Sequence, residues 1–170
     1  MIKGNIFCCN YYLCYFQPKL KTMYKTLLGL HSGIRYIVII LFALALIMAL
    51  VGLFGRKPYT ETNRKVNLFA MISAHIQLLT GIILYFFSPK VMLSDMGAAM
   101  KDTVLRYWTV EHMVMMIFAV VLITIGHSRS KKAVDALNKH RAICLFYGLA
   151  LLVILLAIYQ SGRPIFGSSM

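Results

Sequence analysis

The composition of this 170-residue chain excludes an ordinary soluble domain. Hydrophobic residues make up 60% of it and charged residues only 14%, and a soluble domain of this size cannot bury so much apolar surface. The formal net charge of +13 limits the classes of binding partner to consider. An excess of cations favours binding to a nucleic acid or to an anionic membrane surface.

Four stretches are long and apolar enough to cross a bilayer. A span needs about 20 mostly apolar residues, and in lipid the backbone must satisfy its own hydrogen bonds, so such a stretch becomes a helix. The spans are predicted at about residues 28–54, 66–87, 108–127 and 142–160. We therefore predict an all-α fold, an integral membrane four-helix bundle that forms a single domain.

The first 22 residues do not fit this pattern. Their weakly apolar run is too short to span a bilayer, and it lacks the small-residue cleavage site that a signal peptide requires. Met23 directly precedes a plausible helix start. We interpret residues 1–22 as a leader outside the domain, with translation beginning at Met23, and residues 23–170 as the transmembrane domain.

Lysine and arginine are distributed unequally between the two sides of the predicted bundle. One group lies in the loops that follow the first and third spans: Arg56, Lys57, Arg64, Lys65, Arg129, Lys131, Lys132, Lys139 and Arg141. Because these residue types stay on the cytoplasmic side, we predict that both termini lie on the non-cytoplasmic side of the inner membrane. The net charge is then a topology signal near anionic lipid, and no nucleic-acid site is expected.

The rise of about 1.5 Å per helical residue places the five histidines at three depths, as two level-matched pairs and one single residue. His31 and His112 begin their spans on the outer side, whereas His127 and His140 lie together on the inner side. His75 lies near the middle of the second span without a partner at its own depth. Ionisable groups inside a bilayer are costly unless they are paired or wetted, so they mark functional sites.

The outer histidines have charged neighbours. Arg35 lies one turn from His31 on the same helix face, and Glu111 directly precedes His112. One interpretation is a structural ion pair between Arg35 and Glu111 that fixes the helix register. The other is that Arg35 holds a haem propionate beside two axial imidazoles, since facing helices of a bundle build such sites and imidazole is a common haem ligand. Another metal, or simple interfacial hydrogen bonding, also remains open for the two histidines.

The other histidines allow weaker inferences. His127 and His140 stand among serines and cations, so we interpret them first as solvated side chains and second as ligands of an inner haem whose propionates meet the cations. For His75, a hydrogen bond within the core or to a quinone is as plausible as ligation.

Four segments together resemble a known family. They are LHSGIRY, SAHIQLLTGIILYFFSPKV, MKDTVLRYWTVEHMVMMI and LITIGHSRSKK, and they resemble a group of small four-span membrane proteins of Bacteroidetes that is usually labelled cytochrome B. The resemblance extends over residues 24–160. It implies b-type haem and electron transfer.

Two classes of function follow. The first is a membrane-embedded b-type cytochrome-like protein that holds haem b between His31 and His112 and passes electrons between quinol and a respiratory partner. The alternative is a haem-free accessory or assembly subunit of a membrane respiratory complex. The sequence contains no nucleotide loop, activated nucleophile, carboxylate pair or zinc-type cysteine cluster, so a non-catalytic role is favoured.

Overall fold

The computed structural model describes residues 5–162, and their side chains from residue 19 onward. The long helices are α1 (Asn5–Phe54), α2 (Glu61–Phe87), α5 (His112–Lys132) and α6 (Ala136–Gln160). Between α2 and α5 lie two short helices and a π-helical turn: α3 (Met96–Lys101), α4 (Thr103–Arg106) and the π turn (Tyr107–Glu111). No strand occurs between residues 5 and 162. Helix α1 begins inside the predicted leader, whose residues 1–4 lie outside the described part.

Four helical segments are long and apolar enough to cross a membrane: Lys19–Phe54, Glu61–Phe87, Thr103–Lys132 and Ala136–Gln160. They contain the four predicted spans, so the prediction of an all-α membrane bundle is confirmed. The helices extend beyond the predicted spans into polar sequence, and at the start of α2 a polar side chain caps the helix. At α2, for example, the Thr60 side chain accepts a hydrogen bond from the backbone N–H of Asn63 at 3.3 Å, as expected of an N-cap threonine.

The long helices form a ring in the order α1, α2, α5, α6, and each packs against two neighbours. Helices α1 and α5 therefore occupy opposite corners. Small residues allow the helices to approach closely: a Cβ atom on Gly126 of α5 would lie 2.6 Å from the Cβ of Phe146 on α6. The core is completed by aromatic stacking of Phe42 on Tyr147, with ring centroids 5.0 Å apart.

The outward surface of the bundle is apolar. Ile40, Leu79, Phe118 and Leu152 each expose more than half of their surface, and an apolar area of this extent on a monomer marks a surface that contacts lipid or protein. Together with the four long apolar helices, this is the surface of a multi-pass membrane protein compatible with contact to a lipid bilayer.

The two ends of the bundle are built differently. The end at which α1 connects to α2 and α5 connects to α6 is called the basic end. There the Ser130 hydroxyl of α5 donates to the hydroxyl of Tyr59, in the connection between α1 and α2, at 3.4 Å. We call the opposite one the cavity end. There the chain between α2 and α5 folds over the bundle, and the backbone N–H of Met92 donates to the Thr109 hydroxyl at 3.1 Å.

Candidate functional site

A cavity of about 160 Å³ lies inside the cavity end of the bundle. All four long helices contribute to its lining, and its polar lining residues include His31, Arg35, Gln77 and His112. Most of the wall is apolar, as in most ligand sites of proteins. The volume suffices for several water molecules and is smaller than the roughly 300–1,000 Å³ of typical small-molecule sites.

The imidazole of His31 lies against helix α2. The Gln77 amide Nε2 donates to the His31 carbonyl oxygen at 2.9 Å and lies 3.3 Å from the His31 ring Nε2. Thr80 Oγ1 lies 3.5 Å from the other ring nitrogen, Nδ1. Gly81 makes room for the ring, because a Cβ atom there would lie 3.1 Å from Cε1 of His31. An amide N–H can only donate, so the Gln77 contact favours the His31 tautomer with the lone pair on Nε2 and the proton on Nδ1.

The imidazole of His112 is held by the π turn that precedes it. The His112 Nδ1 lies 3.2 Å from the Tyr107 hydroxyl, and that hydroxyl donates its proton to the Ala157 carbonyl oxygen of α6. The phenol oxygen therefore accepts from Nδ1–H, and the lone pair of the neutral imidazole lies on Nε2. The rings of Tyr107 and Trp108 lie 5.7 Å and 5.3 Å from the His112 ring, so the π turn also encloses it.

The prediction of an ion pair between Arg35 and Glu111 is wrong. The Glu111 carboxylate accepts from Nε of Arg106 at 2.7 Å, because the π turn brings residues five apart onto the same side of the helix. Arg35 instead donates from Nη2 to the hydroxyl of Tyr36 at 3.4 Å and lies 5.1 Å from the centroid of that ring. Glu111 is therefore not the partner of Arg35, and the interpretation of Arg35 as half of a structural ion pair is not supported.

Two polar atoms of the cavity lining are buried without a hydrogen-bond partner among the described residues. They are the donor Nε of Arg35 and the acceptor Oε1 of Gln77. An unsatisfied buried group costs about 1–3 kcal/mol, and most such groups in native proteins have a partner. Both residues line the same cavity, so a polar ligand there could satisfy them.

The cavity lining contains residue types that haem sites use: two imidazoles, which are common iron ligands, and one guanidinium, which can pair with a carboxylate. Haem would fit between them only if two features changed. Gln77 must release Nε2 of His31, and the walls must separate, since the present volume is small for a porphyrin.

His75 takes no part in the cavity lining. Its Nδ1 lies 2.8 Å from the Met71 carbonyl oxygen, and its Nε2 lies 3.4 Å from Oγ1 of Thr124 on α5. Both nitrogens thus lie within reach of protein oxygens. The structure therefore favours the interpretation of His75 as a core residue that links α2 to α5.

His140 lies at the basic end and is buried, which contradicts the expectation of a solvated side chain. Only 1% of its surface is exposed, because its ring rests on Gly52 of α1, where a Cβ atom would lie 2.2 Å from Cε1 of His140. The Tyr59 ring lies 5.1 Å away. Neither ring nitrogen of His140 has a hydrogen-bond partner in the described part of the chain. The cationic sequence neighbours gave the wrong expectation for His140, because the Lys139 and Arg141 side chains lie on other faces of α6.

His127 and His140 do not form a level pair. Gly126 lies opposite Phe146 on α6, so His127 lies near the level of residue 145, about 7.5 Å along the axis from His140. The His140 ring also fills the space beside Gly52. His127 and His140 therefore do not form a common site at the basic end. Nδ1 of His127 is buried and, within residues 19–162, has no hydrogen-bond partner.

Three residues that contact the outer histidines were not predicted as site residues. They are Tyr107, Gln77 and Thr80. Gln77 carried a signal, since a glutamine within an apolar span needs a partner. Tyr107 carried none, because its contact with His112 depends on a π turn that hydropathy does not reveal.

Comparisons of this chain with models of protein families, with curated proteins and with solved structures find no match. The resemblance to the four-span proteins labelled cytochrome B therefore remains a prediction. Between residues 19 and 162, no group of three or more His, Cys, Asp or Glu side chains could hold a metal ion. Function must be inferred from the cavity and from the residues that line it.

Proposed function

We propose that this chain is a b-type cytochrome-like electron-transfer protein of the inner membrane, with haem b bound in the cavity between His31 and His112. The observation that carries the proposal is the shared cavity. His31 and Arg35 of α1 and His112 of α5 come from opposite corners of the bundle, yet all three line one internal space. No other part of the described bundle combines two histidines, a cation and a cavity.

In both imidazoles, Nδ1 lies near a side-chain oxygen. Nδ1–H of His112 donates to the Tyr107 oxygen, and Nδ1 of His31 faces the Thr80 oxygen at 3.5 Å. The Thr80 hydroxyl itself donates to a carbonyl oxygen of its own helix. In both histidines Nε2 then carries the lone pair, and ligating histidines usually donate their other N–H in this manner.

Arg35 supplies the positive charge beside the cavity. A cation within a membrane bundle is costly unless an anion or water accompanies it. Its Nε has no hydrogen-bond partner among the described residues, so a propionate would satisfy a buried donor and offset the charge. Glu111 does not compete for this role, since it pairs with Arg106.

A haem with two imidazole ligands supplies a one-electron carrier without an open iron position. The chain's own residues would fix the two axial nitrogens, neutralise one propionate through Arg35 and exclude water with an apolar wall. Quinol in the bilayer would be the electron donor and a respiratory partner the acceptor.

The test is the visible spectrum of the full chain expressed with ample haem. We expect a reduced-minus-oxidised difference typical of low-spin b-type haem. His31→Ala and His112→Ala should each abolish it, because each removes one axial ligand. His75→Ala and His127→Ala are the matched controls and should retain it, since neither residue lines the cavity. Wild-type protein without haem absorbance would reject the proposal.

A haem-free accessory or assembly subunit of a respiratory complex is the alternative. It is favoured by one observation: both ring nitrogens of His31 already lie within 3.5 Å of polar atoms of α2. In that case His31→Ala would lower the thermal stability of protein that contains no haem. A respiratory complex should also co-purify with the wild-type chain.

A further inference from the structure

We propose that Tyr107 is a positioning residue, which fixes the tautomer and ring orientation of His112 at the cavity. The consequence for haem binding rests on the proposed function, whereas the tautomer of His112 is a property of the haem-free protein. Tyr107 is 5% exposed, so its side chain is shielded from bulk solvent. Three features of the structure support this role.

The first feature is the helical register. In an α-helix, a residue five positions on lies about 140° around the axis, so Tyr107 and His112 would point in different directions. The π turn Tyr107–Glu111 has an i→i+5 register, which aligns such pairs. The adjacent pair behaves identically, since Arg106 reaches Glu111 at 2.7 Å. Turns of this kind are frequent at functional sites.

The second feature is the direction of the hydrogen bonds. The only proton of the Tyr107 hydroxyl goes to the Ala157 carbonyl oxygen. That carbonyl also accepts from the backbone N–H of Ser161 at 3.0 Å, and its two lone pairs allow both bonds. The phenol oxygen thus faces His112 as an acceptor, and the proton of a neutral His112 is held on Nδ1.

The third feature is the anchoring of Tyr107 itself. Its hydroxyl is bonded to α6, whereas its backbone belongs to the turn that begins the third span. The Trp108 ring packs edge-on against the Tyr107 ring with centroids 4.9 Å apart. The acceptor is therefore fixed by two elements, and the imidazole that donates to it takes a fixed orientation.

The primary test measures the tautomer without haem. The full chain, haem-free and labelled with ¹⁵N-histidine, is studied by NMR in lipid nanodiscs at pH 8, and His112 is assigned from a His112→Gln sample. We expect wild-type His112 with a protonated Nδ1 and an unprotonated Nε2. Tyr107→Phe should shift the population toward the Nε2–H tautomer. A wild-type His112 protonated on Nε2 would overturn the inference, whatever the variants do.

Tyr85→Phe is the matched control. Tyr85 also lines the cavity, but its hydroxyl donates to the Thr109 carbonyl oxygen at 2.7 Å. This variant removes a hydroxyl from the same wall and should leave the His112 tautomer unchanged. An equal tautomer shift in both variants would mean that any loss at the cavity wall disturbs the imidazole, which contradicts a specific role of Tyr107.

The second test measures haem affinity in the same variants. Loss of the partner of a ligating histidine typically lowers affinity about 10- to 100-fold, and we expect this for Tyr107→Phe but not for Tyr85→Phe. A haem-bound wild type with unchanged affinity in Tyr107→Phe would overturn the haem consequence. A haem-free wild type whose His112 tautomer still depends on Tyr107 would instead reject the proposed function and support the positioning role.

Discussion

Histidines occur at both ends of the bundle, but their burial and surroundings differ: His31 and His112 are half-buried, whereas His140 is fully buried. At the cavity end, His31 and His112 lie beside hydrogen-bonding groups and line an internal space. At the basic end, the His140 ring rests on Gly52, and neither of its nitrogens has a hydrogen-bond partner in the described part of the chain. The comparison shows that a histidine in an apolar helix can either line a cavity or fill a packing gap against a glycine, and only the cavity-lining histidines have space beside them for a ligand.

The largest expected contrast between the ends is topological. The loops at residues 55–65 and 128–141 should be cytoplasmic, because their lysines and arginines retain them there. A single cysteine in either loop of a cysteine-free chain should resist an impermeant thiol reagent in intact cells. A cysteine in the segment 89–95, at the cavity end, is the matched control and should be labelled. The reverse pattern would place the cavity on the cytoplasmic side.

The next contrast concerns packing at the basic end. Gly52→Ala should destabilise the protein by about 1–3 kcal/mol, the usual cost of overpacking, because the new Cβ would lie 2.2 Å from the His140 ring. Thermal unfolding in detergent, followed by circular dichroism, measures the change. Gly33→Ala is the control, since nothing lies within 4 Å of a Cβ there, and it should stabilise the helix by about 0.5–1 kcal/mol. Equal stabilities would show that the ring moves aside freely.

A smaller effect is expected when the His140 imidazole itself is replaced. His140→Leu removes two buried nitrogens that have no hydrogen-bond partner among the described residues, and such groups cost about 1–3 kcal/mol each before relaxation. We expect a net gain in thermal stability of about 1 kcal/mol. The same change at His75, whose Nδ1 lies 2.8 Å from a carbonyl oxygen, should lower stability. A marked loss in His140→Leu would show that this imidazole has a bound partner.

The fold was predictable because lipid imposes one strong condition. Only helices satisfy the backbone in a bilayer, so hydropathy revealed the four spans. Hydropathy could not give the helix ends, since the helices continue into polar sequence, as α2 does up to its N-cap at Thr60. The prediction of two level-matched histidine pairs needed only the rise per residue. It agrees with the shared cavity of His31 and His112, but it fails for His127 and His140, because the close approach at Gly126 sets the relative height of α5 and α6.

The contacts within the candidate site were less predictable. The pairing of Arg35 with Glu111 assumed a regular α-helix through the start of the third span. The π turn changes the register there and gives Glu111 to Arg106. Burial of His140 likewise depends on Gly52, which is 88 positions away in sequence (140 minus 52) and meets it only in the folded bundle. Local sequence carries no signal of either contact.

The smallest expected effect is also the most informative about the cavity. Gln77 donates to His31 and lies 3.3 Å from its Nε2, which is the nitrogen that haem iron would take. Gln77→Leu removes this competing hydrogen bond, whose net contribution is about 1 kcal/mol, so haem affinity should rise about fivefold. Titration of haem-free protein with haem, followed by absorbance, measures this.

Stability and haem affinity of Gln77→Leu together show whether the Gln77 amide competes with iron for His31 or stabilises the bound haem. Haem-free protein should lose thermal stability, because the His31 carbonyl oxygen and ring lose their donor from α2. Thr80→Val is the matched control. It removes the acceptor near Nδ1 of His31 and leaves the Gln77 amide in place, so it should weaken haem binding instead of strengthening it. If Gln77→Leu also weakens binding, the amide supports the bound haem and does not compete with iron for His31. The cavity would then be organised around the present Gln77–His31 contact.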